Sequence, residues 1–96
     1  MKLVFEWDKT KEKTNQRKHK VGFEEGKTIF NDPSLFTFLD TEHSESEERY
    51  INIGLSTSGR ILVLTHTERH GRIRIISCRK ATARERKFYE EGERHI

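Results

Sequence analysis

Three runs of strand-like sequence, separated by short turn segments, place the tightest constraint on the fold. Residues 49–55 alternate between apolar and polar side chains, and residues 61–67 are almost continuously apolar, as expected of a central strand. Residues 72–79 form a third run. The turn signals at residues 56–59 and 68–71 are short enough to join neighbouring antiparallel strands. The sequence therefore predicts an antiparallel meander.

The segment before these strands predicts one strand, two helices and a further strand. Residues 3–5 form the short first strand, and Asp8 is a good N-cap for a helix that runs through Lys20 with almost no apolar stripe. A second helix is predicted for residues 23–30, with a small core-facing patch, and a strand for residues 35–39. The strand of residues 35–39 brings the predicted antiparallel strands to four.

One more helix follows the strands. Thr82 and Glu85 have the spacing of a capping box, so a helix begins there, and Gly92 is expected to end it. This order predicts an α+β fold: an antiparallel meander sheet with two N-terminal helices and one C-terminal helix. We expect a single domain over residues 1–96.

The composition leaves this domain a thin core and a highly charged surface. Apolar residues make up 31% of the chain and charged residues 36%. The single cysteine, Cys78, excludes an internal disulfide, and its place in an apolar strand predicts a buried, unreactive side chain. The sequence contains no apolar run long enough for a membrane span or a secretion signal. We therefore expect a cytoplasmic protein with no membrane partner.

Charge is segregated along the chain. Bases dominate residues 9–20 and 69–87, whereas residues 40–48 carry five acids and no base. Such segregation creates a field that attracts polyanions. Because the planar guanidinium fits a phosphate, the arginines of residues 72–86 favour a phosphodiester partner, with RNA as the leading candidate. The alternative is that these arginines only solvate an open sheet face.

The pairing of the last two strands can be predicted from their connection. A four-residue turn at residues 68–71 would place His66 opposite Ile73. Ser77 and Arg79 would then share the face of His66. The opposite face would carry Arg72, Arg74 and Cys78.

Two histidines are candidates for proton transfer. Lys18 and His19 end the first helix, where Lys18 could hold a phosphate and His19 could move a proton; the alternative is that both only complement the helix carbonyl ends. His66, in the central strand, could do the same work or be a hydrogen-bonded structural residue. His70 and His95 are expected at the surface.

The arginines suit a second role. Metal-free cleavage of RNA needs cationic donors that stabilise the charge developing on the phosphorane, and Arg49, Arg74 and Arg79 are candidates for that role. The acidic loop of residues 40–48 lacks regular ligand spacing, so no metal and no cofactor are expected. Further basic candidates for RNA binding are Lys18, Arg69, Arg72 and Lys80. The sequence contains no P-loop, serine-hydrolase, zinc-protease or zinc-ribbon motif.

The order and spacing of several short motifs resemble the BrnT family of bacterial toxins, from Phe5 to Gly92. The matching pieces are Phe5-Glu6-Trp7-Asp8, Asn15-x-x-Lys18-His19-x-Val21-x-Phe23-Glu24-Glu25, Phe30-x-Asp32-Pro33, Glu48-Arg49, Ile53-Gly54, His66-Thr67-Glu68-Arg69 and Arg74-Ile75-Ile76-Ser77-x-Arg79-x-Ala81-Thr82-x-x-Glu85-Arg86-x-x-Tyr89. Gly22 departs from the small hydroxyl residue that the pattern leads us to expect before Phe23.

The resemblance implies a toxin of a type II toxin–antitoxin system with a RelE-like fold. It implies a ribonuclease that arrests translation and is neutralised by a BrnA-type antitoxin. That antitoxin would carry a DNA-binding domain, so operator DNA would be bound only indirectly, in a complex that represses its own operon. By motif position, the resemblance assigns the active residues Lys18, His19, Arg49, His66, Arg74 and Arg79.

Two other functions share the same features. A non-catalytic nucleic-acid-binding module would use the same basic patches without cleaving RNA. A protein-docking module would present the arginines to an acidic protein. Affinity for phosphate serves a nuclease and a binding module alike, so the residues alone leave these alternatives open.

Overall fold

The computed structural model describes residues 2–94, and the side chains of residues 2–92. His95, predicted at the surface, lies outside these residues. The elements are β1 (Phe5–Glu6), α1 (Lys9–His19), α2 (Phe23–Gly26), a 3₁₀ helix (Lys27–Asn31), β2 (Phe36–Leu39), β3 (Arg49–Leu55), β4 (Ile61–Arg69), β5 (Arg72–Lys80) and α3 (Ala83–Arg94). No helix within residues 2–94 is long and apolar enough to cross a membrane.

The strands form one five-stranded sheet in the order β1-β5-β4-β3-β2. Strands β2 to β5 make the predicted antiparallel meander. The short strand β1, two residues later than predicted at its start, pairs parallel with β5, with Phe5 opposite Ile73 and Glu6 opposite Arg74. The α+β fold is confirmed, and the parallel pair brings the beginning of the chain beside its last strand.

Helix α1 begins and ends as its sequence predicts. The Asp8 carboxylate accepts hydrogen bonds from the backbone N–H groups of Thr10 and Lys11, at 2.8 and 3.0 Å. Lys20 ends the helix in the left-handed conformation, with φ 61°. Asn15 is the buried residue of α1, and its amide bonds the backbone N–H and C=O of Cys78. Asn15 thereby covers the edge of β5 beyond the end of β1.

The second helix was predicted over residues 23–30, but the α-helix ends at Gly26. The chain makes one α-helical turn and then continues as the 3₁₀ helix. A Cβ atom at Gly26 would lie 2.9 Å from the Cys78 sulfur, so this backbone packs directly against β5. Gly22 gives α2 no side-chain cap, but the Glu12 carboxylate accepts the Phe23 N–H at 2.9 Å.

The predicted register of β4 and β5 is wrong for two reasons. The turn contains two residues, His70 and Gly71, both with positive φ, so Arg69 lies opposite Arg72. A β-bulge then leaves Ile76 as an extra residue, because Thr65 pairs with Ser77 and His66 with Ile75.

The bulge changes which residues share a face. Cys78 lies opposite Leu64 in the core, as its burial requires. Arg79 lies opposite Val63, on the side of the sheet away from His66. The predicted grouping of Ser77 and Arg79 with His66 is therefore wrong, since the alternation it assumed is broken at Ile76.

The core lies on both sides of the sheet. The side covered by α2 and the 3₁₀ helix contains Val21, Phe23, Ile29, Leu62, Leu64, Ile73, Ile75 and Cys78. On the other side, Tyr89 of α3 packs against Ile53 and Val63. The helix does not stop at Gly92, as predicted, but continues to Arg94. Gly92 lies where any Cβ atom would overlap the Phe36 ring. Close approach, not helix termination, explains this glycine.

Candidate nucleic-acid interface

Helix α3 covers only part of its side of the sheet, and arginines occupy the remainder. Arg49, Thr67 and Arg74 lie opposite one another on three adjacent strands, and Arg69 lies opposite Arg72 at the end of the β4–β5 hairpin. Opposite residues on paired strands point to the same face. We call the surface formed by these five residues the arginine face. It unites four of the predicted basic residues.

Carboxylates already accompany most of these arginines. Glu6 lies 3.0 Å from Arg74 and 3.7 Å from Arg72, measured between oxygen and Nη1. Arg69 makes two hydrogen bonds to Glu47, at 2.7 and 2.8 Å, and holds the pKa of that carboxyl below its usual value. Within residues 2–92, Arg49 has no carboxylate partner within 4 Å. Among the arginines of this face, Arg49 is therefore the one most available to an anion from outside.

Arg79 lies on the same side of the sheet, beyond the bulge. Its guanidinium makes two hydrogen bonds to Glu85, at 2.7 and 2.9 Å. This contact lowers the pKa of Glu85 to about 2. Arg79 thus fastens α3 to β5 in the free protein. Lys80 is exposed and lies opposite Leu62, so it points toward the other side of the sheet.

Arg74 keeps part of its guanidinium free. Among the described residues, its hydrogen bond is from Nη1 to Glu6, which leaves Nε and Nη2 without a protein acceptor. That edge of the guanidinium can bind two oxygens of one phosphate. The doubly bonded guanidinium groups of Arg69 and Arg79 would have to exchange a carboxylate for a phosphate.

Lys18 and His19 lie apart from the arginine face. With Thr10, Thr14 and Lys11 of α1, they line a groove whose other wall is Ile76 and Ser77 at the bulge. Ser77 lies opposite Thr65, on the side of the sheet that carries Arg74. The bulge therefore places the basic end of α1 along one border of that side.

His66 is buried on the opposite side of the sheet, with 3% of its surface exposed. Its ring stacks on Tyr50 and meets the edge of Phe30. The Asn52 amide donates to its Nδ1 at 2.8 Å, which leaves the proton on Nε2, 3.6 Å from Glu68. Burial lowers the pKa of His66, opposed by Glu68. This environment favours a neutral ring.

The structure also describes Cys78 and the acidic loop of residues 40–48. Cys78 is fully buried, and burial raises the pKa of its thiol to about 12, so it is not a nucleophile. In the acidic loop, His43 pairs with Asp40 at 2.9 Å. Among the described residues, no three His, Cys, Asp or Glu side chains are grouped as metal ligands.

Sequence reasoning missed the partners of the arginines. No pattern in the sequence assigned Glu6 a role, although it contacts Arg72 and Arg74 of the arginine face. Its contact with Arg74 joins residues 68 positions apart. The hydrophobic periodicity of the sequence does not predict that β1, a strand of only two residues, pairs parallel with β5. The capping-box spacing predicted the Glu85 backbone contact, but not its bond to Arg79.

A small α+β domain that presents arginines from an open sheet defines a class of protein built to engage an anionic partner. The chain belongs to the BrnT family: residues 7–85 match the family described as the ribonuclease toxin, BrnT, of type II toxin–antitoxin systems. The family resemblance seen in the sequence is confirmed. The family implies an RNA substrate and an antitoxin protein as partners.

A solved structure supports the fold. The crystal structure of the Brucella abortus ribonuclease toxin, BrnT, superimposes with a TM-score of 0.65 at 21% identity, covering 84% of this chain and 99% of that one. At this identity the match speaks for the fold alone. No curated protein matches the chain.

Proposed function

We propose that this chain is a metal-independent endoribonuclease that arrests translation. Arg49, Arg74 and Arg79 would bind the scissile phosphate and stabilise the charge that develops on it. The observation that carries the proposal is the row of Arg49, Thr67 and Arg74 on three adjacent strands. Among the described residues, Arg49 has no carboxylate partner and one edge of Arg74 has no protein acceptor. In this reaction the 2′-hydroxyl attacks the adjacent phosphorus and the 5′-oxygen leaves.

The remaining basic residues would guide the RNA. Arg69 and Arg72 add positive charge to the arginine face itself, Lys18 adds charge in the α1 groove, and Lys80 points to the other side of the sheet. Such contacts position a strand without reading its sequence. Of the two histidines predicted to transfer protons, His19 lies in the α1 groove, apart from the arginine face. The burial of His66 on the opposite face favours a structural role for it.

Membership of the BrnT family supports a proposal about the cellular setting. We propose a cytoplasmic toxin neutralised by a BrnA-type antitoxin encoded beside it, with operator DNA bound only through that antitoxin. Induction in bacteria with and without the neighbouring gene tests this setting. Total RNA should be degraded when the toxin is induced alone and stay intact when both genes are expressed.

Purified protein tests the enzyme directly. It should cleave RNA in excess EDTA, and Arg74→Ala should lower the cleavage rate by about 10²–10³, the usual effect of removing a donor that stabilises transition-state charge. Arg79→Ala should also slow cleavage. Arg84→Ala, an exposed arginine of α3, serves as the matched control and should cleave like the parent.

Three results would contradict the proposal. Cleavage that disappears with EDTA would overturn metal independence. Parental rates in both Arg74→Ala and Arg79→Ala would remove the assigned residues. Salt-sensitive RNA binding without any cleavage product would identify a binding module instead.

A further inference from the structure

A cleft at the hairpin end of the arginine face brings Glu6 and His70, which have no role in the proposed function, beside two of its arginines. Glu6, Arg69, His70 and Arg72 line this cleft, whose volume is about 450 Å³. It combines a carboxylate, an imidazole and two guanidinium groups. Base, acid and cationic donors are the three kinds of group that RNA cleavage without a metal requires.

Glu6 is held in place by the residues around it. Strand β1 pairs it with Arg74, and its two oxygens lie 3.0 and 3.7 Å from the Nη1 atoms of Arg74 and Arg72. Its side chain keeps 29% of its surface exposed. Arg69, from β4, also interacts electrostatically with it. The charged groups that face Glu6 from β4 and β5 are thus arginines, which hold its carboxylate at the edge of the cleft.

The position of Glu6 matches the free edge of Arg74. A phosphate bound through Nε and Nη2 of Arg74 would lie beside the carboxylate already bound to Nη1. The ribose whose 3′-oxygen is bonded to that phosphorus carries its 2′-hydroxyl next to it. With a phosphate bound in this way, the Glu6 carboxylate would lie near the hydroxyl that must lose its proton.

His70 occupies the turn at the other wall of the cleft. It has φ 53°, a left-handed conformation uncommon for any residue but glycine, and its side chain is exposed. Imidazole is the side chain best suited to release a proton near neutral pH. By contrast, His66 is buried on the opposite face and His19 lies in the α1 groove.

We propose that Glu6 and His70 are the base and acid of RNA cleavage, an assignment that rests on the proposed ribonuclease function. Glu6 takes the proton of the 2′-hydroxyl as that oxygen bonds to phosphorus. The bond from phosphorus to the 5′-oxygen breaks, and protonated His70 gives its proton to that oxygen. The products are a 2′,3′-cyclic phosphate and a 5′-hydroxyl. Arg74 stabilises the phosphorane charge, as in the proposed function, and Arg72 helps to hold Glu6 in place.

The test is a single-turnover cleavage assay of an oligoribonucleotide in EDTA, over a range of pH. Glu6→Gln keeps a hydrogen-bond acceptor for Arg74 but cannot act as a base, so its rate should fall by about 10²–10⁴. The decline of the parental rate on the acid side should vanish in this variant. The cleavage rate of His70→Gln should fall by a similar factor, and the decline of the rate on the alkaline side should vanish in this variant. Both variants should bind RNA with an affinity close to that of the parent.

A modified substrate separates the two roles. When sulfur replaces the 5′-oxygen at the cleaved bond, the leaving group needs no proton. This substrate should restore cleavage by His70→Gln but not by Glu6→Gln. Glu6→Asp, with a shorter carboxylate, should keep the acid-side decline at a reduced rate, which a merely structural Glu6 does not explain.

Matched controls come from the same molecule. Glu90→Gln removes an exposed carboxylate of α3, and His43→Gln removes an exposed histidine of the acidic loop; both should keep the parental rate. If the parent itself leaves RNA intact, the proposed function fails. If the parent cleaves and Glu6→Gln retains its rate, or loses rate with an unchanged pH profile, the acid–base assignment is overturned. Failure of the sulfur substrate to restore His70→Gln overturns the acid role.

Discussion

The Glu85 carboxylate joins two elements through one side chain. It makes two hydrogen bonds to Arg79 of β5 and accepts the backbone N–H of Thr82, while the Thr82 hydroxyl accepts the N–H of Glu85. The second exchange is the predicted capping box at the start of α3. These bonds hold the pKa of Glu85 near 2, well below its ordinary value of 4.5.

Glu85→Gln should therefore destabilise the protein in a pH-dependent way. A carboxyl whose folded pKa is depressed stabilises the fold above its unfolded pKa, and that stability is lost as pH falls from about 4.5 toward 2. Because both partners are partly exposed, we expect a loss of about 1 kcal/mol at neutral pH. Urea unfolding at pH 7 and pH 3 measures it. An equal difference between parent and variant at both pH values would contradict this account.

Some individual residues could be assigned from sequence because their chemistry is local. Asp8 caps the turn that follows it, and Thr82 and Glu85 lie three positions apart. The burial of Cys78 followed from its apolar neighbours. The contacts of Glu6 with Arg74 and of Glu47 with Arg69 span 68 and 22 positions, and no local preference encodes such pairs.

The strands show where periodicity fails. The bounds of β3 and the order of the meander were predicted, because alternation and turn signals are strong there. The bulge at Ile76 was not predicted, because the prediction assumed one continuous alternation through residues 72–79. The apolar residues change phase there, from Ile73 and Ile75 to Ile76 and Cys78, and the bulge lets Cys78 lie opposite Leu64 in the core. Arg79 consequently faces α3 instead of His66.

Helix α3 offers a test in which packing opposes helix propensity. Alanine is favoured over glycine inside a helix by about 1 kcal/mol. Because a Cβ atom at Gly92 would overlap the Phe36 ring, we expect Gly92→Ala to destabilise the protein by about 1–3 kcal/mol instead. Glu90→Ala, at an exposed position of α3, should change stability by less than about 0.5 kcal/mol. Thermal unfolding of both variants decides; a stabilised Gly92→Ala would show that α3 is not packed on Phe36.

The molecule as a whole divides its sheet into two unequal sides. One side is covered by α2 and the 3₁₀ helix over an apolar core, and the other is shared between α3 and the arginine face. Sequence composition predicted the basic asymmetry but not that resident carboxylates offset much of it. The chain has 19 lysines and arginines and 16 aspartates and glutamates, which gives a net charge of +3. Some of these acids and bases pair across the fold, as Glu47 does with Arg69 and Glu6 with Arg74.

Salt dependence of RNA binding should reveal these resident carboxylates. Each phosphate contact on a single strand contributes about 0.7 to the slope of log affinity against log salt concentration. Arg49→Ala should lower the slope by about that amount because Arg49 has no carboxylate partner among the described residues. Arg69→Ala should lower it by less than half as much, since Glu47 already neutralises Arg69. Equal changes in the two variants, measured by fluorescence anisotropy, would refute this difference.

Because β1 pairs with β5, residues that are synthesised at different times come together in the folded protein. Glu6 is added 68 residues before its neighbour Arg74. A growing chain therefore carries Glu6 without the other residues of the cleft until residues 69–74 have been added. Under the proposed chemistry, a chain that stops before these residues cannot cut the message that encodes it.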